Sequence, residues 1–349
     1  MQTVILGAGA VGGSIGAYLT RAGHEVTLVD TWWQHIDAIN RAGLELWTPE
    51  GTFHTRPVVL HIDELATLDS PVKLAVIATK AYDGEWAYRL IEPYLALDGV
   101  VVFAQNGVVE ELVGRFADLS RVLGLVVNFA AECFEPGKVR RTLTSGWPSL
   151  TLGELDGADS PRLAATRDYL DPVGDVRTTA SIISSLWSKL ALNAMTNATG
   201  AITRATTPVL WGEPDYIDVA LQAGAEAVVV ARAMSLEIEP IFDRIDPASL
   251  ARVYEGDEEA SRELAVILRA IADGRRDAQE NRPSMLQDVL KGRRTEVDYI
   301  PGHIARRGVE AGVATPINAR LVELVREVEA GRLAGGPDNL ALIRSALPR

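Results

Sequence analysis

The sequence contains little of what would assign it to several large classes of protein. Among its 349 residues there is one cysteine, Cys133, which excludes an intramolecular disulfide and a cysteine-based zinc or iron–sulfur site, so no metal is expected. A single thiol fits a reducing compartment, and we interpret Cys133 as a small packing residue rather than a nucleophile. An apolar run of about 18–20 residues, the length that crosses a bilayer, is also missing. We therefore expect no membrane span.

Positive charge is scarce as well. Lys and Arg number 34 against 47 Asp and Glu, and the formal net charge of −13 argues against nucleic-acid binding, which needs a basic surface. The first residues turn glycine-rich at once without a basic segment, so a signal peptide is not expected. The predicted location is therefore the cytoplasm.

The bulk composition favours two domains. Hydrophobic residues make up 47% of the chain, enough for two packed cores, and single cores stop growing at roughly 250–300 residues. Residues 2–6 form a short β-branched run, followed by a glycine-rich turn and an amphipathic stretch over 11–21, and the pattern of residues 24–30 predicts a second strand. This order predicts a right-handed βαβ unit with parallel strands.

Further patterns divide the chain. Apolar runs over 73–79 and 100–104 predict two strands that end just before Lys80 and Asn106, where open parallel sheets place ligand-binding groups. Residues 122–154 are β-rich around turns at 136–137 and 146–148, which predicts an antiparallel edge. Helical periodicity begins at Ser181. We predict an α/β fold, with a Rossmann-type doubly wound dinucleotide-binding domain in residues 1–180 and an all-α substrate and catalytic domain in residues 181–349.

The glycine turn carries a dinucleotide-binding pattern. Its residues are Gly7, Ala8, Gly9, Ala10, Val11 and Gly12. The first glycine permits a tight turn, the second lets a pyrophosphate approach the backbone, and the third lets helix and strand pack closely. Asp30 follows about 20 residues later at a strand end, where it is expected to accept hydrogen bonds from the adenosine ribose.

Asp30 also bears on the choice of cofactor. Its charge would repel a 2′-phosphate, and no arginine lies between Asp30 and Asn40 to bind one. NAD is therefore the predicted cofactor, and NADP stays open as a less favoured alternative. Trp32 and Trp33 either flank the adenine or lie with one packed on the helix and the other half-exposed.

A second polar pattern lies at the start of the predicted helical domain. Lys189, Asn193 and Asn197 are four residues apart among apolar neighbours, so they share one helix face. Spacing alone leaves two interpretations open, a functional cluster and a solvated surface stripe.

Five motifs, in this order, resemble the ketopantoate reductase (2-dehydropantoate 2-reductase) family. They span residues 7 to about 300, nearly the whole chain. They are the glycine pattern of residues 7–12, Thr79-Lys80-Ala81, Gln105-Asn106-Gly107, Lys189-Leu190-Ala191 with Asn193 and Asn197, and Asn281-x-Pro283-Ser284-Met285-Leu286-Gln287-Asp288 followed by Thr295-Glu296-Val297-Asp298-Tyr299-Ile300.

The resemblance implies roles for individual residues. Lys189 would be the general acid, because hydride attack on a ketone creates an alkoxide that a lysine ammonium can stabilise and protonate. Glu296 would hold and orient the substrate, and Lys80 and Asn106 would lie between cofactor and substrate. The residues expected to contact substrate carboxylate or hydroxyl groups are Asn106, Asn193, Asn197, Asn281 and Ser284.

The sequence departs from the family pattern at two places, one that concerns cofactor recognition and one that concerns the length of a segment. Many members use NADP and place an arginine just after the second strand, where this chain has Thr31, so NADP recognition is not carried over. The segment over 235–275 looks longer than in compact members.

Alternatives stay open for the reaction. The leading hypothesis is NAD(P)H-dependent reduction of 2-dehydropantoate to (R)-pantoate, and the runner-up is an NAD-dependent (R)-2-hydroxyacid dehydrogenase acting on other branched or aromatic 2-oxo acids. Glu296 favours the first because an acid suits a substrate hydroxyl, whereas an NAD preference favours the second. His303 is the rival to Lys189 as acid, while His35, His54 and His61 are expected in loops or on helix surfaces.

A protein that only senses NAD is a third hypothesis, which the presence of Lys189, Asn193 and Glu296 together disfavours. The predicted partner is a small-molecule 2-oxo acid, with no nucleic acid and no membrane. A homodimer is left open.

Overall fold

The structure, a computed structural model, describes residues 2–142, 148–241, 243–274 and 281–347. The chain divides into two compact units, Met1–Ile183 and Ser184–Arg349. The functions predicted for residues 1–180 and 181–349 stay predictions at this point. Residues 146–147 of one predicted turn and residues 242 and 275 of the longer segment lie outside the described part of the chain.

The strands that the structure describes all belong to the first unit. In chain order they are β1 Thr3–Leu6, β2 Val26–Asp30, β3 Leu44–Thr48, β4 Gly51–Thr55, β5 Val58–His61, β6 Val72–Ile77, β7 Leu95–Phe103, β8 Val122–Val127, β9 Ala131–Glu132, β10 Lys138–Arg141, β11 Leu150–Glu154 and β12 Val176–Thr178. Among the described residues, eight of them form the main sheet in the order β12-β11-β8-β7-β6-β1-β2-β5, and β4-β3-β10-β9 form a smaller sheet.

Helices cover the main sheet and make up the second unit. In chain order they are α1 Ala10–Arg21, α2 Trp33–Ala42, α3 Gly84–Ile91, α4 Glu110–Val113, α5 Pro161–Leu170, α6 Ile182–Ala194, α7 Asn197–Thr203, α8 Thr207–Gly212, α9 Pro214–Ala233, α10 Pro247–Tyr254, α11 Glu258–Asp273, α12 Ser284–Leu290, α13 Pro301–Ala311, α14 Pro316–Glu329 and α15 Leu340–Arg344. Short 3-10 turns join several of these elements.

The predicted βαβ unit is confirmed. β1 is fully buried, as its apolar run predicts, and it pairs in parallel with β2 and β6, with Leu6 opposite both Val29 and Ile77. Between β1 and β2, α1 lies so close to the sheet that a Cβ on Gly16 would be 2.6 Å from Leu28 Cδ2. Gly23, with φ +86°, turns the chain after α1 toward β2. The N-terminal sheet therefore has the Rossmann-type arrangement.

The prediction of one antiparallel edge over 122–154 is wrong in part. β8 and β11 do pair antiparallel in the main sheet. β9 and β10, which lie between them in sequence, instead join the smaller sheet, where β10 runs parallel to β3. The hairpin of β3 and β4 leaves an edge free to accept β10, and nothing in the local sequence of residues 122–154 encodes that distant partner.

The second unit is helical, as predicted. Among its described residues, β pairing is limited to an isolated bridge between Ile241 and Ile245. The twenty-residue α9 is buried around most of its surface, as is typical of a helix in the middle of a bundle. Its buried carboxylate, Glu226, accepts hydrogen bonds from the backbone N–H groups of Ile317 at 2.8 Å and Asn318 at 2.9 Å, which begin α14. The long helix thus holds its neighbour through a polar contact inside an apolar core.

The predicted longer segment over 235–275 contributes α10 and α11 to the second unit. Of the helices that the structure describes, none is both long enough and apolar enough to span a membrane.

Candidate active site

Two glycines of the motif are required by packing within the first unit. Gly7 has φ +96°, and a Cβ there would lie 2.7 Å from the carbonyl carbon and oxygen of Ala78. At Gly12 a Cβ would lie 1.9 Å from the carbonyl oxygen of Gly7. A larger residue at either position would force the turn and α1 away from the sheet.

The middle glycine has no such requirement. Gly9 has φ −68° and ψ −151°, an extended conformation that any residue adopts, and a Cβ there would meet no atom within 4 Å. Gly9 precedes the first turn of α1, which carries no acidic side chain. An open space at the N-terminus of a helix, kept clear by a glycine that the fold itself does not need, fits the pyrophosphate of a dinucleotide.

Asp30 ends β2, as predicted, and its carboxylate binds the nearby backbone. Oδ2 accepts the N–H of Ala8 at 2.6 Å, and Oδ1 accepts those of Thr31 at 2.8 Å and Trp32 at 2.9 Å. The charge is therefore oriented toward the glycine turn. Since a carboxylate offers about four acceptor positions, one remains for a ribose hydroxyl.

The two tryptophans take different environments. Trp32 packs against the apolar core and stacks on His35, with ring centroids 5.0 Å apart. Trp33 is 54% exposed and stacks on His61, which is opposite Asp30 in the pairing of β2 with β5. One packed and one half-exposed ring is the second of the two arrangements that the sequence left open.

Lys80 and Asn106 follow the carboxyl ends of β6 and β7, neighbouring strands of the main sheet. Both are half-buried. The structure therefore brings Gly7, Asp30, Lys80 and Asn106 to one edge of the sheet, because parallel strands end on the same side.

Gln105 is a residue of this edge to which the sequence assigned no role. Its buried side-chain amide nitrogen is 3.1 Å from the carbonyl oxygen of Thr79, 3.0 Å from the Thr79 hydroxyl and 2.8 Å from the carbonyl oxygen of Lys80. It thereby holds the turn that carries Lys80. The available signal was an amide directly after an apolar strand, where a polar side chain needs partners.

A buried acid lies close by in sequence. Glu110 begins α4, and burial raises the pKa of its carboxyl to about 8. It is therefore largely protonated at neutral pH and carries little negative charge.

In the second unit, α6 carries Lys189 and Asn193 on one face. Lys189 is half-buried and Asn193 is 6% exposed, so this face is not a solvated stripe. The predicted continuous helix is interrupted, because α6 ends at Ala194 and Asn197 begins α7. The Asn197 side chain nevertheless reaches back and donates to the carbonyl of Asn193 at 3.2 Å.

Asn197 also joins the later motif to this region. Its Oδ1 accepts the backbone N–H of Met285 at 3.1 Å, at the beginning of α12, where Ser284 lies. The carbonyl of Asn281 accepts the N–H of Thr207, at the start of α8. Asn197 and Met285 are 88 residues apart in sequence, and this hydrogen bond therefore brings two distant motifs into contact.

Glu296 lies in a turn that the preceding residue, Thr295, ties to the end of α14. It is 2% exposed. The preceding N–H, that of Thr295, donates to the Glu329 carboxylate at 2.6 Å, and the Thr295 hydroxyl accepts from Val297 at 3.2 Å. Glu329, at the end of α14, is a second residue that the sequence did not single out.

The catalytic rival His303 is buried and packs against Trp187 of α6, with ring centroids 5.5 Å apart. This contact brings the beginning of α13 close to the helix that carries Lys189. Within the described residues, no group of three or more His, Cys, Asp or Glu side chains is arranged to hold a metal ion.

A Rossmann-like sheet with an open glycine turn, followed by a helical unit with buried polar residues, defines a nucleotide-binding oxidoreductase of two parts. The family model "Ketopantoate reductase PanE/ApbA" matches residues 3–157, and "Ketopantoate reductase PanE/ApbA C terminal" matches residues 181–329. A 2-dehydropantoate 2-reductase of Archaeoglobus fulgidus is 30% identical over 330 residues, which cover 94% of this chain and 97% of the relative. The chain belongs to the ketopantoate reductase family.

Solved structures with the same fold include a ketopantoate reductase and a dehydrogenase that holds NADH. A PanE/ApbA family ketopantoate reductase from Ralstonia eutropha JMP134 is 29% identical, with 96% of this chain and 100% of the other covered and a TM-score of 0.74. D-mandelate dehydrogenase with NADH and anilino(oxo)acetate is 25% identical, with 95% and 99% covered and a TM-score of 0.77. The family and this NADH complex support a nicotinamide cofactor.

Proposed function

We propose that this chain reduces 2-dehydropantoate to (R)-pantoate with a nicotinamide dinucleotide as the hydride donor. The observation that carries the proposal is the burial of polar side chains at the positions of the second unit that match the family's motifs. Asn193, Asn197 and Glu296 are all less than 9% exposed. Buried polar side chains at positions that match the family's motifs support a site for a polar substrate.

The glycine turn of the first unit supports the cofactor part of the proposal. The open space at Gly9 and the free N-terminus of α1 would accept a pyrophosphate. Asp30 would accept a hydrogen bond from a ribose hydroxyl, Lys80 and Asn106 would lie toward the nicotinamide, and NADH would be the preferred form.

The reaction needs one hydride and one proton. When bound, the reduced nicotinamide supplies a hydride, that is, one hydrogen with both bonding electrons, to the keto carbon. We assign to Lys189 the donation of a proton from its ammonium group to the keto oxygen, which completes the hydroxyl. The positive charge would also stabilise the negative charge that develops on that oxygen. Lys189 would then regain a proton from solvent.

The remaining polar residues would orient the substrate. Asn193, Asn281 and Ser284 would donate hydrogen bonds to its carboxylate. Glu296 would accept a hydrogen bond from the hydroxyl group that distinguishes 2-dehydropantoate from simpler 2-oxo acids. Because Asn197 uses its oxygen on Met285 and one amide hydrogen on Asn193, it has one hydrogen left for substrate. Its larger contribution would be to hold the two motifs together.

A second candidate is an NAD-dependent (R)-2-hydroxyacid dehydrogenase acting on other branched or aromatic 2-oxo acids. Asp30 at the ribose position and the similarity to D-mandelate dehydrogenase favour it. Glu296 favours the leading proposal, since a carboxylate is poorly suited to a purely apolar side chain. A homodimer and a cytoplasmic location remain predictions for either enzyme.

A steady-state screen of the full chain decides between them. 2-Dehydropantoate and matched 2-oxo acids without the hydroxyl, with branched or aromatic side chains, are offered with NADH and with NADPH, and the configuration of the product is determined. The proposal expects the highest kcat/KM with 2-dehydropantoate and an (R) product. A higher kcat/KM with an aromatic 2-oxo acid would replace it with the second candidate.

A further inference from the structure

Ala8, in the middle of the glycine turn, has both of its backbone polar groups held by side chains. Its N–H donates to Asp30 Oδ2 at 2.6 Å, and its carbonyl oxygen lies 2.9 Å from His35 Nε2. This carbonyl lies just before the first hydrogen-bonded carbonyl of α1, that of Gly9, which accepts from Gly13. His35 therefore provides a partner for a carbonyl that lies outside the hydrogen-bonding pattern of the helix.

His35 is not the surface residue that the sequence predicts. It lies on the inner face of α2 with 0% exposure, under the glycine turn. The backbone N–H of Gly137, 102 residues away, donates to Nδ1 at 3.0 Å. Because Nδ1 accepts this bond, the ring proton must be on Nε2, and the Nε2–H then donates to Ala8.

A continuous chain of contacts links the His35 ring, through Trp32 and Asp30, back to Ala8. Trp32 stacks on His35 at an interplanar angle of 7°. The backbone N–H of Trp32 donates to Asp30, whose other oxygen holds Ala8. Each contact fixes the next, so the imidazole, the indole and the carboxylate together set the orientations of the two peptide groups on either side of Ala8.

We propose that His35 is a positioning residue for the dinucleotide, which it would not touch. By drawing the carbonyl of Ala8 inward, the neutral imidazole keeps that oxygen away from the space at Gly9 and leaves backbone N–H groups facing it. A carbonyl oxygen turned toward a pyrophosphate would repel it, whereas N–H groups bind it. This inference rests on the proposed binding of a nicotinamide dinucleotide.

Two variants separate the two hydrogen bonds of the ring. In His35→Asn the side-chain oxygen occupies the position of Nδ1 and can still accept from Gly137, but nothing reaches Ala8. In His35→Gln the amide nitrogen occupies the position of Nε2 and can still donate to Ala8, but the acceptor for Gly137 is lost. Both variants remove one buried hydrogen bond and the ring stacking, so a structural role alone would affect them equally.

Affinity for NADH and NADPH is measured on the full chain by the fluorescence of the bound reduced nicotinamide, together with kcat, KM and the melting temperature. We expect His35→Asn to raise the Kd for NADH about 10–100-fold, the range for loss of a buried hydrogen bond, while His35→Gln stays within about threefold of the unmodified chain. The melting temperature should fall in both. At saturating NADH, kcat should change little in either.

The outcomes distinguish this inference from the proposed function. If the unmodified chain binds neither dinucleotide, the proposed function fails and the inference fails with it. If the unmodified chain binds and the two variants lose affinity equally, or lose none, only the role of His35 is overturned.

A measurement on the unmodified chain applies even if His35→Asn does not fold. Nitrogen-15 NMR of histidine-labelled protein should show the His35 ring with its proton on Nε2, and both ring nitrogen shifts should move when NADH is added. A proton on Nδ1, or ring signals that saturating NADH leaves in place, would overturn the proposal.

Discussion

The carboxylate of Asp30 accepts a hydrogen bond from the backbone N–H of Ala8 at 2.6 Å, which joins the end of β2 to the middle of the glycine turn. The negative charge is thereby held at the edge of the sheet where an adenosine ribose would lie. Its second oxygen accepts the N–H groups of Thr31 and Trp32, so the carboxylate cannot easily rotate away from an approaching anion.

This arrangement predicts a preference for NADH. A 2′-phosphate about 4 Å from Asp30 would be repelled by about 4 kcal/mol at an effective dielectric near 20, and movement and counterions reduce the effect. We expect kcat/KM to favour NADH by about 10–10³-fold. Replacing Asp30 with Ala and Thr31 with Arg should shift the ratio toward NADPH, although both cofactors should bind more weakly because Ala8 loses its acceptor. A preference of the unmodified chain for NADPH would contradict the proposed role of Asp30.

The glycine turn offers a matched pair of variants. Gly9→Ala adds a methyl group where no protein atom lies within 4 Å, so the melting temperature should stay within about 2 °C of the unmodified chain, while the Kd for NADH rises by about tenfold or more. Gly12→Ala places its Cβ against the carbonyl of Gly7 and should lower the melting temperature strongly. Undiminished NADH binding by Gly9→Ala would mean that the pyrophosphate lies elsewhere.

Lys189→Ala should lower kcat by about 10²–10⁴-fold, the range for loss of a positioned proton donor, with little change in the Kd for NADH. Lys189→Arg keeps the charge but is a poor acid, so it should recover substrate binding better than kcat. His303→Ala is the control. If His303→Ala abolishes turnover and Lys189→Ala does not, the general acid is His303 and not Lys189.

Glu296→Ala should reduce kcat/KM for 2-dehydropantoate more than for a 2-oxo acid that lacks the hydroxyl, by roughly 1–3 kcal/mol of transition-state stabilisation. The reason is that only the hydroxylated substrate has a hydroxyl group that can donate a hydrogen bond to this carboxylate. Equal losses on both substrates would indicate that Glu296 serves the structure of its turn or that the second candidate enzyme is correct. Glu329→Gln tests the turn itself, because it weakens the acceptor for Thr295 without touching Glu296.

The buried carboxyl of Glu226 predicts a pH dependence of stability. Burial raises its pKa to about 7, even though the N–H groups of Asn318 and Ile317 oppose the shift. A raised pKa in the folded state means that this carboxyl contributes stability below its unfolded value near 4.5 and that the contribution is lost as pH rises through 7.

The full loss is on the order of 3 kcal/mol. Denaturant unfolding of the unmodified chain and of Glu226→Gln at pH 5, 6, 7 and 8 checks it. The variant cannot ionise at this position, so the difference between the two free energies of unfolding should shift against the unmodified chain between pH 5 and 7 and level off near 8. A constant difference would show that the carboxyl does not titrate in this range.

The sequence by itself determined the strand, turn and helix of residues 3–30 and the helical character of the second unit. These features are local. A β-branched run, a glycine with φ +96° and an apolar repeat act through neighbouring residues, and none depends on a distant segment. The family could also be recognised, because its motifs carry residue types in a fixed order.

Only the tertiary structure decided which distant segments meet. β10 pairs with the distant β3 as well as with its neighbour β9, His35 is buried because Gly137 and the glycine turn close over it, and Asn197 binds Met285. The physical reason is the same in each case. A backbone N–H or an imidazole can be satisfied by many partners, and the one that it takes is set by how the chain packs, which local propensity does not encode.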